Sequence, residues 1–209
     1  MGLETIEASP GRVLALWHMH EDESTLAALL GEKAPENVTN PQKRLEWLAG
    51  RMLVKEALQT LGLSYHGIIK DAFGKPFPAG HDYQLSLSHS FPYAAVLLDA
   101  HQPVGIDLEQ PKEKLLRVAP RMFHPAELAD AGTDLVKLCI YWCAKEALVK
   151  VYGKKDLTFA KSLLVAPFSQ KTGGEIVGSI IVDSQERVIP LCYTVTPDFV
   201  MVFNKATTL

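Results

Sequence analysis

Cysteine is scarce: Cys139, Cys143 and Cys192 are the three in 209 residues. So odd and sparse a set offers no disulfide framework and fits reduced thiols in a cytosolic protein. Long apolar runs are missing as well, with nothing near the roughly 20 residues a membrane helix needs. The first residues, MGLETIEASPGR, hold no basic segment leading into an apolar one. The expectation is a soluble, cytoplasmic protein without a membrane partner. Charge of one sign is also lacking. Lys and Arg total 21 against 24 Asp and Glu, a formal net charge of −3, which argues against a general nucleic-acid binder. What the chain does have is a 47% hydrophobic fraction, enough for a sizeable core. Its length lies above the usual single domain and within reach of two small ones.

Hydrophobic patterning predicts a strand over Val13–Met19 and a helix over Asp22–Leu30. Pro41 opens and Gly62 closes a long helical pattern carrying Leu45, Leu48, Met52, Leu53, Leu58 and Leu61. The tract DAFGKPFPAG is rich in turn residues, and strands are expected over Gln84–His89 and Ala94–Ala100. After a break at His101-Gln102-Pro103, VGIDLE reads as a strand. Helices follow over Lys112–Met122, Pro125–Ala131 and Leu135–Val151, then strands and turns from Ser162 onward. Such a pattern predicts an α+β fold, with antiparallel sheets and helices on one side. Residues 47–55 and 142–150 share Trp, Ala, Leu, Val and Lys at equal spacing. Either two amphipathic helices match by chance, or an α+β unit is duplicated, with 1–102 and 103–209 as the halves.

Four stretches carry chemistry. In VGIDLE, strand alternation turns Asp107 and Glu109 to one face. Two adjacent carboxylates repel each other; a solvated face tolerates this, and a bound cation gives the pairing a purpose. In YWCAKEALVK, Glu146 and Lys150 are four apart on a helix. They form either a surface ion pair or part of a buried site, and the apolar residues around them favour a helix packed on several sides. Cys139 and Cys143 share a face of that helix, as small core residues or as a metal pair with no third ligand at matching spacing. LSLSHS places Ser88 and His89 on a strand with no G-x-S-x-G turn, so an anion site or a plain polar strand end fits better than a Ser–His hydrolase. FGKP offers Lys75 in a braced turn, a solvated Lys or a phosphate contact.

Taken in order, FGKP, SLSHS, VGIDLE, FHPAEL (123–128) and WCAKEALVK resemble the 4′-phosphopantetheinyl transferase superfamily, in particular its surfactin-type branch. The likeness covers Phe73 to Lys150 directly, and a helix with Arg44 and Arg51 seven apart extends it. The resemblance implies two pseudo-symmetric α+β halves with coenzyme A and Mg²⁺ in the cleft between them. It implies transfer of the phosphopantetheine arm of coenzyme A to a serine of an apo acyl or peptidyl carrier protein, releasing adenosine 3′,5′-bisphosphate.

On this resemblance Asp107, Glu109 and Glu146 bind Mg²⁺, whose preference is for hard oxygen ligands. Lys150 stabilises charge on the pyrophosphate, and Glu146 or Glu127 serves as general base. Coenzyme A contacts fall on Lys75, Ser88, His89, Arg44, Arg51 and Lys145. The stretch PKEKLLRVAPRMF, with Lys112, Lys114, Arg117 and Arg121 beside apolar residues, suits an acidic carrier helix. Carriers of fatty-acid, polyketide or nonribosomal-peptide synthesis all qualify, and the protein is expected to be a monomer. The rival is a non-catalytic coenzyme A or carrier-binding module. Retention of the whole acid set counts against that rival.

Overall fold

The structure, a computed structural model, describes residues 2–154 and 156–206. The chain divides into two compact units, Met1–Pro103 and Val104–Leu209, each built of helices on an antiparallel sheet. The fold is α+β.

The first unit begins with β1 (Leu3–Ser9) and β2 (Arg12–His18), followed by α1 (Glu23–Leu30) and α2 (Pro41–Thr60). A small hairpin of β3 (Ile68–Lys70) and β4 (Pro76–Pro78) flanks the FGKP turn; β5 (Gln84–Ser90) and β6 (Tyr93–Asp99) complete the unit. The four-stranded sheet runs in the order β1-β2-β6-β5, antiparallel throughout. Local chemistry sets the helix starts. Asp22 caps α1 through the Thr25 N–H, while Asn40 caps α2 through Lys43, with Pro41 in the first turn. Leu48, Met52, Leu53, Val54, Ala57 and Leu58 of α2 pack with Val13, Ala15 and Trp17 of β2 and Leu85, Val96 and Leu98 of β5 and β6. Each such aliphatic side chain contributes about 1.5–3 kcal/mol on burial.

The expectations missed β1. Its residues are mostly exposed, with only Leu3 and Ile6 turned partly inward. These are three apart, because the register slips between Leu3 and Thr5. A bulge at Glu4 hides the alternation that marks a strand.

The second unit holds β7 (Ile106–Glu109), α3 (Lys114–Met122), α4 (Pro125–Ala131), α5 (Leu135–Tyr152), α6 (Phe159–Ser162), β8 (Leu163–Val165), β9 (Gly173–Val182), β10 (Gln185–Val195) and β11 (Val200–Asn204). Its sheet is ordered β7-β11-β10-β9-β8, again antiparallel. Asp134 caps α5 through two N–H groups, and Gly153, at φ 81°, ends it in the left-handed conformation. Buried residues surround most of α5, from Leu138 to Val151, as expected of a helix packed on several sides. The matching segments 47–55 and 142–150 lie in α2 and α5, the longest helix of each unit. No helix among the described residues is long and apolar enough to cross a membrane.

Candidate active site

VGIDLE forms the edge strand β7, paired among the described residues only with β11: Asp107 stands opposite Val202 and Glu109 opposite Val200. Gly105 precedes it, where a Cβ would lie 2.0 Å from the Ala147 carbonyl oxygen of α5. Only glycine permits so close an approach. The contact is locked from the other side, because Gly105 N donates to Asn204 Oδ1 at 2.8 Å and Asn204 N returns a bond to the Gly105 carbonyl at 3.1 Å. Gly105, Asp107 and Glu109 share the face of the strand that meets α5.

The facing side of α5 carries Cys139, Cys143, Glu146, Ala147 and Lys150, at helical spacing. Lys150 Nζ donates to Asp107 Oδ1 at 2.8 Å and to the Ile106 carbonyl at 2.7 Å. Two of its three N–H donors are therefore engaged within the unit. Burial pushes the Glu146 carboxyl above its ordinary range, and the negative charges of Asp107 and Glu109 push it further, with Lys150 opposing. Glu146 thus senses the charges of Asp107 and Glu109, a crowding that a divalent cation would relieve. Hard carboxylate oxygens from two rigid elements are the donor set that Mg²⁺ takes. The residues present fit that ion. Their oxygens stop short of mutual closure: among the described residues, the set of three potential ligands whose atoms lie within 4.8 Å of one another is Glu4, His18 and His20.

The two α5 cysteines are core residues. Cys139 and Cys143 are fully buried, and their thiols donate to the Glu109 carbonyl at 3.6 Å and the Val200 carbonyl at 3.7 Å. Burial pushes the Cys143 thiol well up, so it stays protonated.

Glu127 and Lys145 pair with each other. Lys145 is fully buried, and its ammonium meets Glu127 Oε2 at 2.7 Å and the carbonyls of Phe159 and Leu163 at 3.0 and 2.7 Å. Three donors meet three acceptors. Glu127 also accepts from His124 N at 2.7 Å and from Val165 N at 2.8 Å. With His124 as N-cap and Pro125 following, Glu127 closes a capping box on α4. Its carboxylate binds α4, α5 and β8 together. The H-P-A-E spacing is a helix-start signature that the sequence displayed.

In the first unit, Ser88 and His89 point to opposite faces of β5, as a strand dictates. Ser88 is buried, whereas the His89 side chain is 44% exposed and presents Nδ1 to Glu46 Oε2 at 3.2 Å. Glu46, on α2, is 2% exposed and also accepts from Gln42 at 3.0 Å and Lys43 at 2.5 Å. Sequence reasoning missed this buried acid, which among Lys43, Arg44 and Arg51 resembles part of a solvated face. Lys75, in its turn beside β4, has its ammonium pKa lowered by burial, with Asp71 partly restoring it. A partly desolvated ammonium is suited to an incoming anion.

The arginines are committed elsewhere. Arg44 grips both oxygens of Glu23, at 2.8 and 2.7 Å, and the carbonyls of Ala34, Pro35 and Val38. All five guanidinium donors are engaged, two on Glu23 of α1 and three on the segment that joins α1 to α2. Arg51 lies 3.5 Å over the Trp47 ring and 3.5 Å from Glu32. These contacts make both residues braces of the first unit.

Comparison with known proteins supplies a family likeness. The model of the 4′-phosphopantetheinyl transferase superfamily matches residues 103–192. A 4′-phosphopantetheinyl transferase AcpT of Salmonella typhi is 34% identical over 129 residues, 58% of this chain and 63% of that protein. A 4′-phosphopantetheinyl transferase of Bacillus subtilis is 30% identical over 145 residues, 64% of each chain. AcpT of Escherichia coli K12 is 32% identical over 163 residues, 68% of this chain and 80% of that protein. The match thus spans slightly under two thirds of the Salmonella and Bacillus relatives.

Proposed function

Since the chain belongs to the 4′-phosphopantetheinyl transferase superfamily, we propose that it transfers the 4′-phosphopantetheine arm of coenzyme A to a serine of an apo carrier protein. The observation that carries this reading is the convergence of Asp107, Glu109 and Glu146 beside Lys150. A binding module has no use for so costly a concentration of acids. Asp107, Glu109 and Glu146 would hold a Mg²⁺ ion, which when bound would supply positive charge to the pyrophosphate.

The chain's own residues account for the rest. Lys150 directs its remaining N–H donor to a phosphate oxygen. Lys75, with Ser88 and His89, contacts the anionic groups of coenzyme A. The serine oxygen forms a bond to the phosphorus of the pantetheine phosphate, and the bond from that phosphorus to the bridging oxygen breaks. Adenosine 3′,5′-bisphosphate leaves with the bridging oxygen. Glu146 takes the serine proton at its carboxylate, since Glu127 is saturated by its own contacts.

The carrier docks on α3. Leu115, Ala119 and Phe123 turn inward, while Leu116, Arg117 and Arg121 are exposed, an apolar anchor within a basic face suited to an acidic helix. On this reading the protein is a cytoplasmic monomer.

The test is incubation with coenzyme A, Mg²⁺ and an apo acyl carrier protein, followed by intact mass measurement of the carrier. The expected result is a gain of one phosphopantetheine arm, lost on adding EDTA or with Asp107→Ala. Retained coenzyme A binding without transfer to any of several carriers would leave the protein a binding module.

A further inference from the structure

Besides the acids of the second unit, three side chains of the first unit are gathered with no part in the proposed transfer. Glu4, His18 and His20 bring one ligand atom each within 4.8 Å of the others. Their placement follows from the backbone. Glu4 is the extra residue where the β1–β2 register slips between Leu3 and Thr5, and a bulge of this kind re-aims a side chain. Glu4 Oε1 thereby lies 3.4 Å from His18 Nδ1. His20 follows two residues later, its ring centroid 3.8 Å from that of His18.

The frame under these groups is tied down. His18 N donates to the Gly2 carbonyl at 2.6 Å, and Gly2 N donates to Glu21 Oε1 at 2.6 Å. Trp17, fully buried, donates from Nε1 to Glu21 Oε2 at 3.3 Å. Met19 N bonds the Pro92 carbonyl at 2.8 Å, and the His18 ring stacks on Tyr93 at 4.5 Å. The three ligands therefore project from a laced edge of the sheet rather than from a loose terminus.

We infer that Glu4, His18 and His20 form a binding site for a divalent cation of the zinc class. Two imidazoles and one carboxylate are borderline donors, suited to Zn²⁺ and its transition-metal neighbours and ill suited to Mg²⁺. Donors bound at about 2.0–2.2 Å in tetrahedral geometry lie about 3.3–3.6 Å apart, and the Glu4–His18 separation already falls there. Small rotations of the exposed His20 ring complete the set, with water in the fourth position. The bound ion would clip β1 to the end of β2.

The experiment is calorimetric titration of Zn²⁺ into the untagged protein in excess Mg²⁺, with the His18 and His20 ring signals followed by NMR. One equivalent is expected to bind and to shift both rings. His20→Asn and Glu4→Gln, both at exposed positions, should each weaken binding by about tenfold or more. Zn²⁺ should raise the melting temperature of the parent protein and not that of His20→Asn. Absence of binding would overturn the site, as would binding unchanged in both variants, which would place the ion on other ligands.

Discussion

Gly105 and Ala147 are in van der Waals opposition with no room for a side chain between strand and helix: a Cβ on Gly105 would stand 2.0 Å from the Ala147 carbonyl oxygen. That contact sets how closely β7 approaches α5, and so how near Asp107 lies to Glu146 and Lys150. Gly105→Ala forces backbone apart, because the obstructing atom is main chain. A loss of about 1–3 kcal/mol is expected, the range of overpacked cores, read from urea unfolding. Mg²⁺ affinity, measured by calorimetry on the folded variant, should fall with it. An unchanged metal affinity would show that the acids are placed independently of this contact.

Glu146 gives the site a signature in stability. Burial, then Asp107 and Glu109, raise its folded pKa above the free value of 4.5. The native state therefore binds the proton more tightly than the unfolded chain. Stability from this group is complete below pH 4.5 and is lost as pH rises through the folded pKa. Metal-free Glu146→Gln should melt above the parent at pH 7, by about 2–4 °C for each kcal/mol relieved, and the two should converge in acid. Mg²⁺ should raise the melting temperature of the parent and not of Glu146→Gln. A variant that melts lower at pH 7 would contradict the crowding of charge.

The Glu127–Lys145 pair separates folding from chemistry. Both residues are buried and saturated. Glu127→Gln or Lys145→Met leaves a buried charge without its partner, at a cost of about 3–5 kcal/mol. The fraction that folds should keep its turnover number for carrier modification. If Glu127 were the general base, Glu127→Gln would lower that number by about 10²- to 10⁴-fold, which kinetics on refolded protein at low temperature would detect.

Much of this was legible because it is local. The caps at Asp22, Asn40 and Asp134, Pro41 ahead of α2 and Gly153 after α5 mark helices within a few residues of themselves. Strand alternation likewise placed Asp107 and Glu109 on one face. What could not be read is the choice of partner across long separations. Lys145 sits beside Glu146 in the chain, yet the helix turns it inward to Glu127, while Glu146 turns to Asp107. Arg44 looks like an anion ligand until the carbonyls of Ala34, Pro35 and Val38 converge on it. Glu46 looks solvated until β5 delivers His89 to it.

Arg44 and Lys75 should therefore behave in opposite ways when changed. Arg44 spends every donor on Glu23 and three carbonyls, so Arg44→Gln should lower the melting temperature and leave the KM for coenzyme A unaltered. Lys75 has its ammonium partly desolvated and is half-buried in the turn before β4. Lys75→Ala should leave the melting temperature nearly unchanged and raise the KM for coenzyme A about 10- to 100-fold, as loss of a hydrogen bond to a charged group worth about 1.5–3 kcal/mol requires. Steady-state kinetics with carrier saturating, beside a thermal melt of each variant, makes the comparison. A KM rise in Arg44→Gln at full stability would place that arginine on the ligand. An unaltered KM in Lys75→Ala would remove the lysine from it, because a lost charge contact to phosphate has no other way to stay silent.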